Sequence, residues 1–107
     1  MFKVKKKPLV DRAEYSACLI KGPKGAKENS YKISNLAEIR KFLGIAPSQY
    51  NIYRNSKGCY AFIYHDPEDF KTDFYPLKVG HWIVRNERSG HTSVMSGHMF
   101  ACCFENV

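Results

Sequence analysis

Apolar residues recur at helical spacing in one stretch of the chain, SNLAEIRKFLG, which begins at position 34. Four of them fall on one face of a helix: Leu36, Ile39, Phe42 and Leu43. Ser34 or Asn35 can cap this helix, with Glu38 at capping-box spacing, and the following Gly44 is a common terminator. The pattern predicts an α-helix over Asn35–Leu43. A helix of about ten residues is stable only when it packs on other elements, so we expect a sheet beside it.

Strand-like patterns occupy much of the remaining chain. FKVKKKPLVDRAEYSACLI predicts a strand region, YNIYRNSKGCYAFIYH a hairpin, and HWIVRN with HTSVMS a second hairpin around ERSG. KGPKGAKENS and the acidic HDPEDFKTDF have the composition of loops, and GHMFACCF suits a last helical turn or two. Hairpins beside one clear helix leave no room for β-α-β units. We therefore predict an α+β fold over 1–107 as a single domain: a small, mainly antiparallel sheet with one packed α-helix and, as an option, a short C-terminal helix.

The two hairpins differ in what their alternation indicates. In the second hairpin, Trp82 and Val84 alternate with Ile83 and Arg85, so one of the two faces must be inside, and we expect Trp82 to be a core anchor. In the first hairpin, an aromatic face alternates with an aliphatic one. The aromatic face carries Tyr60, Phe62 and Tyr64. This face is either core or a binding surface, and alternation does not decide between them.

Charge is concentrated at the start of the chain. The net charge is +7 and the isoelectric point is about 9.3. Residues 1–27 hold eight Lys or Arg against two acidic residues, which is +6, whereas the other 80 residues contribute +1. A partner attracted by charge would therefore meet the N-terminal segment. No apolar run is long enough for a membrane span, and no apolar segment follows the first lysines as in a secretory signal, so we expect no membrane partner.

Candidate catalytic and metal-binding chemistry is weak in this sequence. The gaps between the four histidines are sixteen, ten and seven residues, unlike the spacing of zinc ligands. No signature surrounds any cysteine, so we interpret the cysteines as reduced, mostly buried thiols. An acidic group could hold Mg²⁺ in a small nuclease or hydrolase, but carboxylates in one loop are usually solvated: Asp66, Glu68, Asp69 and Asp73. We expect no metal, no cofactor and no enzymatic activity.

Three motifs together resemble a family of short, mostly uncharacterised phage and prophage proteins. That family opens with KY-R-KKP-V-V-EA, carries an NLEEIKEFLG-like helix and closes with a PGDWIIKG…GEFYP…F…TYE unit. The matching pieces here are FKVKKKPLVDRAEY, NLAEIRKFLG and VGHWIVRNERSGHTSVMSGHMFACCFE, in the same order. His81 stands where the family has an acidic residue, and two loops look like insertions. The resemblance implies a viral accessory gene expressed in the host cytoplasm, and it supplies no catalytic residues.

Two binding functions follow from these observations. The first is a non-enzymatic inhibitor that sequesters a host component, such as one of anti-phage defence, by binding a host protein with an acidic surface or an anionic nucleotide-type ligand. The alternative is nucleic-acid binding through the basic N-terminal segment, although no familiar nucleic-acid-binding signature is present. Homo-oligomerisation stays open. The predicted binding residues are Lys5, Lys6, Lys7, Arg12, Tyr53, Arg54, Tyr60, Phe62 and Tyr64.

Overall fold

The computed structural model describes residues 2–6, 14–44, 50–66 and 71–106. Within these ranges the chain forms two helices and eight strands: β1 (Phe2–Lys6), β2 (Tyr15–Leu19), α1 (Leu36–Leu43), β3 (Tyr50–Arg54), β4 (Tyr60–Asp66), β5 (Lys71–Pro76), β6 (Trp82–Asn86), β7 (Thr92–Met95), α2 (Gly97–Cys103) and β8 (Phe104–Asn106). Every strand pair is antiparallel, which confirms the predicted α+β fold with a short C-terminal helix. The strands divide into two sheets, with orders β7-β6-β2-β1-β8 and β3-β4-β5.

The five-stranded sheet is built around the pairing of β2 with β6. Cys18 pairs with Ile83 on one face, and both are 0% exposed. Ala17 pairs with Val84 on the opposite face, and both are also buried. Because consecutive residues point to opposite faces, this sheet is covered on both sides at its centre.

One side of that sheet carries the first core, which joins it to α1 and to the three-stranded sheet. Helix α1 contributes its apolar stripe, Ile39, Phe42 and Leu43. From the smaller sheet comes Phe62, and Leu77 follows β5. The predicted helix thus packs as its periodicity required, since its apolar face is the buried one.

The other side carries the second core, which α2 covers and to which the edge strand β8 contributes Phe104. Its buried members are Val4, Tyr15, Ala17, Val84 and Phe104. Trp82 packs against this core and stacks on Phe100 of α2, with ring centroids 4.1 Å apart and an interplanar angle of 8°. Trp82 is nevertheless only partly buried, so it anchors α2 from the rim of the core.

The start of α1 departs from the predicted capping box. Asn35 occupies the N-cap position, but its side chain makes no capping bond to the helix. Its Oδ1 accepts from the backbone N–H of Lys21, at 2.9 Å, and its Nδ2 donates to the carbonyl of Leu19, at 2.7 Å. Nδ2 also donates to Oε1 of Glu38, and this bond lowers the pKa of that carboxyl. Asn35 therefore ties the first turn of the helix to the chain that leaves β2.

Two further expectations are corrected. The predicted N-terminal strand region is two strands, β1 and β2, which pair antiparallel, and Val4 of β1 is only 2% exposed. The stretch HDPEDFKTDF is not all loop, because β4 runs through Asp66 and β5 begins at Lys71. Residues 67–70 lie outside the described ranges. The acidic composition predicted a loop, whereas Phe74 lies in a strand and pairs with Ile63.

The Asn35 hydrogen bonds lead to a stability prediction. We expect Asn35→Ala to lower the free energy of unfolding by about 1–3 kcal/mol, because it leaves backbone groups of Lys21 and Leu19 without their partner. Urea denaturation measures the change. The matched control is Asn51→Ala, since Asn51 is exposed on β3, and it should change stability by less than about 0.5 kcal/mol. Equal losses in the two variants would contradict the linking role.

The partial burial of Trp82 sets a second prediction. We expect Trp82→Ala to cost about 2–3 kcal/mol, below the ~3–5 kcal/mol typical of a fully buried large ring. The stacking partner Phe100 should become more mobile, as seen in its aromatic NMR resonances. Phe74→Ala serves as the control, because Phe74 is 58% exposed and its loss should cost less than about 1 kcal/mol. A Trp82→Ala variant as stable as the parent would show that α2 does not depend on this stack.

Candidate binding surface

One side of the three-stranded sheet faces away from both cores. Two rows of paired residues cross it: Tyr53, Ala61 and Pro76 in one, and Asn51, Ile63 and Phe74 in the other. We call these six residues the outer face. The row between them, Ile52, Phe62 and Tyr75, points into the first core, where Phe62 is 0% exposed. The register therefore places the outer face on the solvent side.

The outer face is unusually apolar for a solvent-exposed sheet. Tyr53 is 54% exposed and Phe74 is 58% exposed. Between the aromatic side chains lies a shallow cavity of about 240 Å³, whose lining includes both rings and the small, buried Ala61. Tyr31, from the segment between β2 and α1, lines the same cavity and is 44% exposed. The surface is thus a shallow aromatic depression.

Positive charge surrounds this depression. The guanidinium of Arg54 lies 5.9 Å from the ring centroid of Tyr60, and the ammonium of Lys78 lies 5.7 Å from that of Tyr31, both within cation–π range. The segments 30–33, 50–64 and 73–79, which include the surface, contain Lys32, Arg54, Lys57 and Lys78 against a single acidic residue, Asp73. The outer face and its surroundings therefore favour an acidic partner.

The structure separates the aromatic residues that the sequence grouped together. Tyr53 lies on the outer face, whereas Arg54, Tyr60, Phe62 and Tyr64 belong to the alternate positions of the hairpin. Phe62 is a core residue, which leaves it unavailable to a ligand. Arg54 is exposed and Tyr60 partly exposed at the turn end, where Tyr60 lines the cavity, and the side chain of Tyr64 is not described.

Sequence reasoning missed the other half of the surface. Phe74 and Pro76 belong to β5. The sequence predicted a loop for most of this segment because of its acidic composition. Tyr31 and Lys78 come from connecting segments, and only the tertiary fold brings them to the sheet. The signal in FKTDFYP that could have identified β5 is the spacing of strand-forming residues at alternate positions, Phe70, Thr72 and Phe74.

The basic N-terminal segment is partly placed. Lys5 and Lys6 lie in β1, between β2 and β8, but their side chains are not described. The predicted contacts Lys7 and Arg12 fall outside the described residues. Lys3, also in β1, is exposed and pairs with Ser16 of β2. This segment is distinct in sequence from the residues that form the outer face.

One thiol in the described part of the chain lies beside an imidazole. Cys102 Sγ is 3.8 Å from His98 Nε2, and both side chains are exposed on α2. Burial raises the pKa of the Cys18 thiol to about 11, so it is protonated at neutral pH. His81 Nε2 lies 2.7 Å from Asn29 Oδ1, and burial, followed by nearby Lys78, lowers its pKa. Across residues 2–6, 14–44, 50–66 and 71–106, no group of three or more His, Cys, Asp or Glu side chains could hold a metal ion.

Comparison with known proteins adds no relative. No protein-family model, no curated protein and no solved structure matches this chain. Neither helix in the described ranges is long and apolar enough to cross a membrane. The features of this chain that bear on its function are therefore the outer face and the sequence motifs.

Proposed function

We propose that this is a phage-encoded, non-enzymatic accessory protein that inhibits or sequesters a host component by binding. The outer face docks an acidic, partly apolar surface of a host protein in the host cytoplasm. The observation that carries this proposal is the exposure of Tyr53 and Phe74 on one face of the three-stranded sheet, where both line the same cavity and cations lie over two of its other rings. The phage origin is supported by the three motifs described above.

The composition of the outer face is that of an interface centre. Tyrosine and arginine are over-represented among the residues that dominate binding energy, and Tyr53 and Arg54 are adjacent at the end of β3. Tyrosine buries a large area and loses few torsional degrees of freedom on binding. Exposed aromatic side chains that cluster on a regular element mark interaction sites more often than isolated ones do.

A protein partner suits the shape of this surface better than a nucleotide does. The depression holds about 240 Å³, below the ~300–1,000 Å³ of typical small-molecule pockets. Two of the rings that line it, Tyr53 and Phe74, are more than half exposed, so the depression is open to solvent. Sheet faces of this kind pair with a complementary protein surface, and the surrounding cations accelerate encounter with an acidic one.

The contribution of the outer face is tested by a double substitution. We expect Tyr53→Ser with Phe74→Ser to reduce the affinity for the captured host protein at least about tenfold, since two exposed aromatic anchors are lost. The tagged chain is expressed during infection, the co-purified protein is identified, and its affinity is then measured with purified components. Circular dichroism checks that the variant keeps its fold.

Met99→Ser is the matched control for that experiment. Met99 is 53% exposed but lies on α2, away from the outer face in the sheet order. The control should bind as the parent does. Unchanged affinity in the double variant, or an equal loss in the control, would contradict docking on the outer face.

The surrounding charge has a separate kinetic signature. We expect Arg54→Gln, Lys57→Gln and Lys78→Gln together to slow association and flatten its salt dependence, with a nearly unchanged dissociation rate, because exposed charges act mainly through long-range attraction. Surface plasmon resonance at several salt concentrations measures both rates. The comparison variant carries Lys5→Gln, Lys6→Gln and Lys7→Gln. If only the comparison variant abolishes binding, and does so at every salt concentration, the basic N-terminal segment rather than the outer face is the contact, and the nucleic-acid or anionic-ligand alternative gains support over docking on the outer face.

A further inference from the structure

A larger cavity lies between the five-stranded sheet and α2, on the side of that sheet that carries the second core. It holds about 400 Å³ and is separate from the outer face. Strands β6 and β7 contribute Val84 and Met95, and α2 contributes Met99 and Cys103. Its volume falls within the range of small-molecule pockets, ~300–1,000 Å³. Nothing in the proposed function uses this cavity.

The walls suit an aliphatic chain. Val84 and Phe104 are buried members of the second core, and Met95 packs against that core. Methionine is unbranched and polarisable, so Met95 and Met99 can adapt to a flexible apolar ligand. Met99 is 53% exposed in this structure. A bound chain would remove apolar surface of Met99 from water, which is a direct gain in binding free energy.

The end of the cavity near the β6–β7 turn is polar. Asn86 lines it, and its Oδ1 accepts from the backbone N–H groups of Arg88 and Ser89, at 2.9 and 3.2 Å. These bonds fix the orientation of the amide, and Nδ2 of Asn86 donates to no group among the described residues. The hydroxyl of Ser93, which also lines the cavity, likewise has no hydrogen-bond partner within the described ranges. By register both side chains belong to the face that carries Val84.

Helix α2 forms a cover that is only lightly held. None of its seven residues is buried, and it stacks on the sheet through the Phe100 ring on Trp82. The first residue of α2, Gly97, packs closely on the β5–β6 connection, because an added Cβ would lie 2.9 Å from the carbonyl oxygen of Gly80. Further along the helix, Met99 is exposed and Cys103 partly exposed, and both line the cavity.

We propose that this cavity binds a medium-chain aliphatic carboxylic acid. The alkyl chain lies along Val84, Met95 and Met99, and the carboxylate accepts hydrogen bonds from Asn86 Nδ2 and the Ser93 hydroxyl. Hydrogen bonds to a charged acceptor are stronger than those to a neutral one, and a protein with net charge +7 attracts an anion. The inference stands whether or not the outer face binds a protein.

The test uses the methionine methyl groups as reporters. The chain has three methionines, Met1, Met95 and Met99, of which the last two line the cavity. Protein labelled with ¹³C at the methionine methyl groups is titrated with sodium decanoate below its micelle concentration. We expect the Met95 and Met99 signals to shift saturably with one shared Kd, while the Met1 signal stays in place. No saturable shift, or equal movement of all three signals, would overturn the proposal.

A charge substitution tests the polar end. Asn86→Asp keeps the Oδ acceptor of the turn but replaces the donor with a carboxylate, so we expect decanoate to bind at least about tenfold more weakly. Binding of 1-decanol, which has no charge, should change far less. Asn51→Asp makes the same charge change on the outer face and should leave decanoate binding unaltered.

Ser93→Ala removes the second donor without adding charge and should weaken decanoate binding severalfold, which keeps the test decisive if Asn86→Asp does not fold. Decanoate binding that survives both cavity substitutions would refute the assigned head-group site.

Discussion

The pairing of β2 with β6 is the constraint on which the rest of the structure depends. Along each strand consecutive side chains are buried on opposite faces, Ala17 with Cys18 and Val84 with Ile83. A sheet with two apolar faces requires a cover on each side. Helix α1 and the three-stranded sheet supply one cover, and α2 supplies the other. Arg85 reinforces the first, because its guanidinium lies 4.5 Å from the Phe42 ring centroid and donates to the Phe42 carbonyl at the end of α1.

This division of covers determines which surfaces are left for function. The three-stranded sheet serves as a cover and uses only one of its faces, through Phe62. Its other face is free to carry exposed aromatic side chains, and the connecting segments bring Tyr31 and Lys78 beside it. On the far side, the short helix α2 spans too little of the sheet to fill the space above Val84, which leaves the larger cavity. Both candidate sites therefore follow from how the two faces of the five-stranded sheet are covered. One cover leaves its own outer face exposed, and the other leaves a cavity beneath it.

The apolar periodicity predicted many of the helices and strands, but not which face of each hairpin points into the core. Helix α1 and the hairpins β3–β4 and β6–β7 were recoverable, because their apolar spacing and turn residues are local signals. Alternation cannot say which face of a hairpin turns inward, and so Tyr53 and Phe62 were placed in one set although they lie on opposite faces. The Asn35 link to Lys21 and Leu19 was equally hidden, since it depends on how the segment after β2 returns to the helix.

Site-specific photo-crosslinking in infected host cells tests the central claim most directly. A photoreactive phenylalanine derivative replaces Tyr53 or Phe74 on the outer face, and Met99 on α2 in the control. We expect one discrete host protein to be crosslinked from the two outer-face positions and not from the control. Crosslinking to nucleic acid only, to the same protein equally from all three positions, or to no protein from either outer-face position would contradict a protein-docking role for this surface.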